Sequence, residues 1–331
     1  MKNFLIAGGI FLFFFVAGFF LGSYKYDSAD STVKRERITM GTLVEIIVRG
    51  KSDETANNAI NKAFAEFERI NNVFSTYNDT SIISIINKDG SKTDFNIDSE
   101  MFCILSKCND ITKATNGAFD IATGNIINLW NFGSENPTVP EDSILSLGLS
   151  NSGWENIELK TDSILIKKKN VSFNFGAIVK GYAVDCAAKV LSDLGITDYL
   201  INAGGEIKTS GSNWKVGIQH PRKTNEIVKT LMIDNISVAT SGDYEQYFEI
   251  NGKRYHHIID PANGFPANGC QSVTIIAKDD LTADAFATGI FVLGKDEGMK
   301  LIESNSSIEG MIINNSGEVF TSSGFNKYVW R

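Results

Sequence analysis

Between Phe4 and Gly22 the chain runs nineteen residues without a charge, FLIAGGIFLFFFVAGFFLG, with Lys2 before it and Lys25 after it. A terminal segment that is apolar on every face does not fit a water-soluble core helix, whereas about twenty such residues cross a bilayer once. The run is long for the apolar part of a cleaved signal and lacks a clear small-residue cleavage site, so it reads as an uncleaved anchor before a cleavable signal. No Cys follows it to carry a lipid. Charge does not orient it: Lys2 and the terminal amine stand on one side, and Lys25, Lys34, Arg35 and Arg37 on the other. The expected division is an anchor or signal segment over 1–22, a polar linker over 23–36, and one folded catalytic unit over 37–331.

The remainder has ordinary globular composition, 43% hydrophobic and 21% charged, which excludes a disordered or fibrous chain. With 31 Lys+Arg against 39 Asp+Glu the net charge is −8, so a basic nucleic-acid-binding domain is excluded and no nucleic-acid partner is expected. The four Cys form no CxxC pair and only three His are present, which leaves a structural zinc module without its ligands. Cys103 and Cys108, five apart in one expected helix, point to different faces, and the Cys spacing matches no secreted disulfide framework.

Periodicity then places the elements. Arg37 to Val48 is β-branched and reads as one strand. After Ser52, apolar residues at Ala56, Ile60, Ala63, Phe64, Phe67, Ile70 and Phe74 mark one face of a long helix. A second helix runs from Asp98 to Ala114 and stops at Asn116-Gly117; residues 131–153 read as a loop; Ser172 to Asn174 end a strand; Lys180 to Leu194 form a third helix closed by Gly195. Strands follow at Tyr199–Ala203, Trp214–Gln219, Thr230–Val238, Tyr247–Ile250 and Lys253–Ile259, the last two joined by Asn251-Gly252, a hairpin signal. Ser272–Ala277 is a strand, Thr282–Leu293 a helix, and Gly310–Ile313 with Glu318–Thr321 a closing hairpin. Locally paired strands interspersed with helices give an α+β fold with a largely antiparallel sheet and packed helices.

Four local features carry chemistry. Asp284 and Thr288 stand one helical turn apart among small and apolar residues, so both oxygens face one side and suit a hard cation such as Mg²⁺; the alternative is local hydrogen bonding within the helix. In Tyr255-His256-His257-Ile258-Ile259-Asp260-Pro261, adjacent histidines on a strand face opposite ways, so only one enters a given site, where a near-neutral pKa would suit a general base. Asp260 before Pro261 reads most simply as a turn residue. Asn202 to Glu206 and Thr240 to Tyr244 are small-residue turns whose N–H groups can approach phosphate, or are merely turns. Lys180, between Gly176 and Gly181 at a helix start, favours an anionic phosphate, or is simply solvated. No GxGxxG fingerprint is present.

Taken in order, these pieces resemble the ApbE family, the FAD:protein FMN transferases. The resemblance is carried by Met40-Gly41-Thr42; Phe74-Ser75-Thr76-Tyr77 with Ser81 and Asn87; Thr115 to Asp120; Gly176 to Asp185; Asn202 to Glu206; Ala239 to Tyr244; His257 to Gly264 with Pro266; and Ala283 to Thr288. It spans Ile38 to Leu293. It departs from the family at Ser81-Ile82, where a Ser-Glu pair is usual, at Asn174 in place of Asp, and at Asn263 in place of Thr.

The resemblance implies the family's α+β domain with FAD, the substrate, in a cleft between sheet and helices. It implies FAD contacts at Met40, Tyr77, Ala118, Phe119, Asp120, Asn174, Lys180 and Ile258. Mg²⁺ ligation would fall to Ala177 through its carbonyl, Asp284 and Thr288, with His257 assisting proton removal. The implied reaction moves FMN from FAD to a threonine hydroxyl of an acceptor protein, with AMP leaving. The implied partner is a subunit of a membrane redox complex, which puts the anchor in the inner membrane and the catalytic domain outside the cytoplasm. Two other functions use the same residues: an Mg²⁺-dependent FAD pyrophosphatase, with water in place of threonine, and a non-catalytic flavin-binding protein.

Overall fold

Ile46 and Ile47 are chain neighbours in one strand, both are buried, and they enter different cores. Side chains alternate across a strand, so this pattern requires a sheet covered on both faces. In the computed structural model, which describes residues 31–76, 78–88, 94–167 and 170–331, that sheet has eight strands. The expected anchor, the linker up to residue 30, and Tyr77 lie outside the described residues.

In spatial order the strands are Thr32–Thr39, Thr42–Arg49, Tyr199–Ala203, Glu206–Ser210, Ser237–Gly242, Cys270–Ala277, Ile308–Asn314 and Val319–Thr321. Every neighbouring pair is antiparallel, as the alternation of strands and turns leads one to expect. Seven helices accompany them among the described residues: α1 (Asp53–Phe74), α2 (Ile82–Lys88), α3 (Ser99–Ala114), α4 (Gly124–Trp130), α5 (Asp142–Ser150), α6 (Val179–Asp193) and α7 (Asp280–Ser304).

Ile46, Ile201, Ile275 and Ile312 face the main core with α1, α6 and α7. Their neighbours Ile47, Leu200, Ile276 and Ile313 face a second core, closed by a two-stranded ribbon of Trp214–His220 and Lys223–Ile233. A smaller third core gathers Ile126, Trp130, Leu145 and Ile259 with Phe248 and Tyr255 of the Tyr247–Ile250/Lys253–His256 hairpin. Among the described residues no helix is long and apolar enough to cross a membrane.

α1 buries the apolar face read from its period, capped by the Ser52 hydroxyl on the Thr55 N–H. α3 is capped by Asp98 and ends at Asn116 and Gly117, both with positive φ. Cys103 is exposed and Cys108 buried on that helix, as their spacing requires.

Several expectations are corrected. The expected single strand Arg37–Val48 is a hairpin that starts earlier, at Thr32, and turns at Met40 (φ 51°) and Gly41 (φ 73°); the β-branched flanks concealed the turn. Thr230–Val238 divides between two strands at a turn holding Asn235 (φ 53°). The stretch 131–153 contains α5, whose short apolar face (Leu145, Gly148) gives little periodic signal. Ser172–Asn174 joins no strand ladder. Instead Asn87 brackets Phe173, accepting its N–H at 2.7 Å and donating to its carbonyl at 2.9 Å. Leu293 is where helical dihedrals stop, but after Gly294 (φ 76°, ψ −176°) helix resumes to Ser304.

Candidate active site

Two tight turns at one end of the sheet start the site. Val44 pairs with Ala203 and Ala203 with Glu206, so the Met40–Gly41 and Gly204–Gly205 turns lie side by side. They touch: a Cβ on Gly204 (φ 69°) would stand 2.2 Å from Thr42 Oγ1, so the position is restricted to glycine both by contact and by conformation. The turn delivers Glu206, 1% exposed, to the start of α6, where Lys180 Nζ donates to Glu206 Oε1.

α6 and α7 meet at Gly181, where a Cβ would lie 2.5 Å from the Asp280 carbonyl oxygen and 2.8 Å from Asp284 Cβ. Asp185, one turn along α6, accepts the N–H groups of Asp280 and Leu281, each at 2.9 Å, and so satisfies the first turn of α7. With the helices held in this way, the Gly181 N–H donates to Asp284 Oδ2 at 3.0 Å. Thr288, one turn further along α7, stands 3.2 Å from Ser241 Oγ rather than bonding back to its own helix.

Charge at this junction is unbalanced. Lys180 faces three carboxylates, Glu206, Glu245 and Asp284; burial opposes its charge, but those acids outweigh it and raise its pKa. Burial and then Glu206, against Lys180, push Asp284 up to about 8. Burial, reinforced by Glu206 and opposed by Lys180, pushes Glu245 up to about 7. Glu206 Oε2 is buried with no hydrogen-bond partner. Three acids against one ammonium, with an orphaned carboxylate oxygen among them, is a donor set short of positive charge, and a hard divalent cation fits it. Among the described residues no cluster of three or more His, Cys, Asp and Glu is arranged to hold a metal. The expected set of Asp284, Thr288 and the Ala177 carbonyl is correspondingly sparse and leaves positions for water and phosphate oxygens.

The expected strand Lys253–Ile259 ends at His256, so His257 lies beyond it, and the two histidines enter different surroundings. His256 is buried, with Nε2 2.9 Å from the Ala267 carbonyl. His257 lines the cleft, its N–H donating to the Gln246 carbonyl at 3.0 Å and its Nδ1 3.2 Å from the same oxygen. The expected near-neutral pKa is corrected: burial, then His256 and Lys180, hold His257 down to about 4, so it stays uncharged at neutral pH. Asp260 is the turn residue it reads as, accepting the Ala262 N–H at 2.9 Å and Asn263 Nδ2 at 2.5 Å.

Met40, Ala118, Phe119, Asp120, Asn174, Ala177, Lys180, His257, Ile258, Asp284 and Thr288 all line one cleft of about 2230 Å³. Several are already committed to the chain. Asp120 accepts the Ala122 N–H at 2.7 Å and the Trp154 N–H at 2.8 Å, yet burial pushes it up to about 6. Asn174 Oδ1 holds the Gly176 N–H at 2.8 Å, a role that needs no charge, which accounts locally for Asn where the family has Asp. Ile82 opens α2 against the main core, where the family's Glu would be polar. Phe119 is buried to 1% exposure, and the Ile258 carbonyl is occupied by the Ala267 N–H. Sequence reasoning gave no role to Glu245 or Gly181, and treated Glu206 only as the end of a turn. The signal for Glu206 was its place directly after Gly204-Gly205.

Comparison with known proteins accords with this geometry. The family model described as the ApbE family matches residues 40–312. The chain is 33% identical over 274 residues to the FAD:protein FMN transferase of Vibrio cholerae, covering 79% of each, and 31% identical over 309 residues to that of Haemophilus influenzae, covering 87% of this chain and 89% of that one. The ApbE protein of Thermotoga maritima superposes with a TM-score of 0.84 at 30% identity, covering 91% of this chain and all of that one. The flavin transferase ApbE of Vibrio cholerae superposes at 0.80 and 29%, covering 91% of this chain and 100% of that one. With the family model matched over most of its length, the chain belongs to the ApbE family.

Proposed function

We propose that this protein transfers the FMN part of FAD to a threonine hydroxyl of an acceptor protein and releases AMP. The observation that carries the proposal is the charge imbalance at the head of the cleft, where Glu206, Glu245 and Asp284 surround Lys180. Asp284, Thr288 and the Ala177 carbonyl would hold Mg²⁺, which when bound neutralises the pyrophosphate of FAD. Lys180 meets the same phosphates, and its tether to Glu206 fixes where its ammonium stands. The backbone around Ala118, Phe119 and Asp120, with Met40, Asn174 and Ile258, shapes the walls that orient the dinucleotide.

In the step itself the acceptor oxygen bonds to the FMN phosphorus, the phosphoanhydride bond to AMP breaks, and the hydroxyl proton is taken up by a protein group. His257, uncharged at neutral pH, is free to accept it, and Glu245 is the nearby carboxylate with a pKa close to the working range. The names of the relatives support the acceptor-directed reaction over hydrolysis of FAD. The apolar run Phe4–Gly22 supports a membrane anchor; the side is taken from the family resemblance, which puts the catalytic domain outside the cytoplasm at the inner membrane, where a subunit of a membrane redox complex would serve as acceptor.

The test mixes the protein with FAD, Mg²⁺ and a candidate acceptor bearing the threonine, and reads acceptor mass and nucleotide release. Gain of one FMN on the acceptor with AMP release, abolished by EDTA, is the expected result. FMN and AMP appearing together without modified acceptor would make the protein a pyrophosphatase. Bound, intact FAD would make it a flavin-binding protein.

A further inference from the structure

The cleft continues beyond the charged junction. From the Met40–Gly41 and Gly204–Gly205 turns it runs past Leu43 to the outer ribbon, where Gly217, Ile227, Thr230 and Trp330 line it. Among the described residues assigned to FAD, Met40 stands where this arm begins and the others lie off it, in the segments after α3 and before α6, at Lys180 in the first turn of α6, and at Ile258 beyond the Lys253–His256 strand. At its rim two exposed apolar side chains, Ile227 at 48% and Trp330 at 43%, stand among Lys215, Asn225 and Glu226, with Lys215 Nζ 3.8 Å from the centre of the Trp330 ring. Both are held in place. A Cβ on Gly217 would stand 2.7 Å from Ile227 Cδ1, so the isoleucine lies flat over the glycine, and the Trp330 N–H donates to the Thr230 carbonyl at 2.9 Å. The ribbon itself is fixed to the sheet by Val216, Ile218, Leu231 and Ile233 in the second core.

We propose that this arm binds an extended, apolar-flanked segment of the acceptor polypeptide that carries the threonine; the inference rests on the transferase reading. Continuity argues for that occupant. A hydroxyl on a protein reaches a phosphorus inside a cleft only if several residues of its own chain lie in the cleft with it. In-line displacement also brings the nucleophile in opposite the departing AMP, so substrate and acceptor need separate arms meeting at one point. Preformed, exposed apolar groups on a rigid ribbon are the kind of surface that captures such a segment at low ordering cost. The competing occupant is the chain's own residues 1–30. The described chain begins where the Ser31 carbonyl accepts the Gly50 N–H, next to Arg49, which reaches the Ser212 carbonyl at the Trp214 end of the ribbon.

The experiment uses the full chain with FAD, Mg²⁺ and a purified acceptor bearing the threonine, comparing the natural protein with Ile227→Asp and Trp330→Ala. Each variant is expected to raise the acceptor KM about tenfold, the size of losing one apolar anchor, while FAD affinity read by flavin fluorescence stays unchanged. A photo-crosslinking residue at position 227 is expected to join the acceptor. Transfer with unchanged acceptor KM, or a crosslink to residues 1–30 or to a second copy, overturns the docking proposal alone. Release of FMN and AMP with no acceptor modified by the natural protein overturns the transferase reading, and the docking proposal with it.

Discussion

Gly181 meets Asp284 both by its N–H, 3.0 Å from Oδ2, and by its bare Cα, which leaves no room for a Cβ beside the Asp284 Cβ. One glycine therefore sets both the spacing of α6 and α7 and the direction of the proposed metal ligand. Gly181→Ala should wedge the helices apart at a cost of about 1–3 kcal/mol, the usual range for overpacking. The checks are the denaturation midpoint, which should fall, and the thermal shift on adding Mg²⁺, which should shrink as Asp284 loses its N–H partner.

Asp284→Ala should abolish metal-dependent FMN transfer. The carboxylate is the charged member of the proposed ligand set, otherwise made of a hydroxyl and a carbonyl, so the set left by the variant carries no charge. Acceptor mass after incubation with FAD and Mg²⁺ checks this, and full activity in the variant would refute the assignment.

Lys180 and Glu206 make a pair in which Glu206 is almost wholly buried and Lys180 keeps 23% of its side chain exposed. Removing only the lysine strands a buried carboxylate among others. Lys180→Met should destabilise the protein by about 3 kcal/mol, the lower end for breaking a buried pair given the lysine's residual exposure. The double variant Lys180→Met, Glu206→Gln should recover most of that loss, because the uncompensated charge is then gone. Urea denaturation of the two variants side by side measures the difference.

How far the sequence announced this site depends on the kind of signal each residue leaves. Asp284 and Thr288 were legible because a helix converts a spacing of four into one face, and the order of motifs fixed the family. The elements with sustained periodicity, such as α1 and α3, were legible for the same reason. The Met40–Gly41 turn was not, because Met is not a turn residue and only the structure shows its φ of 51°. Glu245 was missed because its importance lies in what surrounds it: Lys180 and Glu206 reach it from distant parts of the chain. The low pKa of His257 was equally unreadable, since it follows from burial and from the charge of Lys180.

Glu245 gives the metal-free protein a pH signature whose sign follows from its raised pKa of about 7 against an ordinary 4.5. Below about pH 4.5 both folded and unfolded states hold the proton and the group contributes no loss. Between there and about pH 7 the unfolded chain gives up its proton while the folded one keeps it, so stability falls as pH rises, by at most about 1.4 kcal/mol per pH unit. Above about pH 7 the penalty is complete. Melting in EDTA across this range should show the decline, and Glu245→Gln, which carries no charge at any pH, should make it shallower, leaving the share of Asp120 and Asp284, whose pKa values are also raised.

His257 makes the opposite kind of prediction, because its pKa is lowered and the group already stands in the uncharged form that accepts a proton. If His257 is the base, the acid limb of kcat/KM for FMN transfer at saturating Mg²⁺ should not centre near 6.5, the ordinary histidine value, since this imidazole is held down to about 4. His257→Asn should lower kcat by about 10²–10⁴, the range for losing a positioned general base, with FAD affinity retained because the main-chain bond from His257 N–H to the Gln246 carbonyl survives the substitution. A pH–rate profile of the natural protein, taken with flavin binding by the variant, decides the role. If the variant transfers FMN at the natural rate, the proton goes elsewhere, and Glu245 is the group to substitute next.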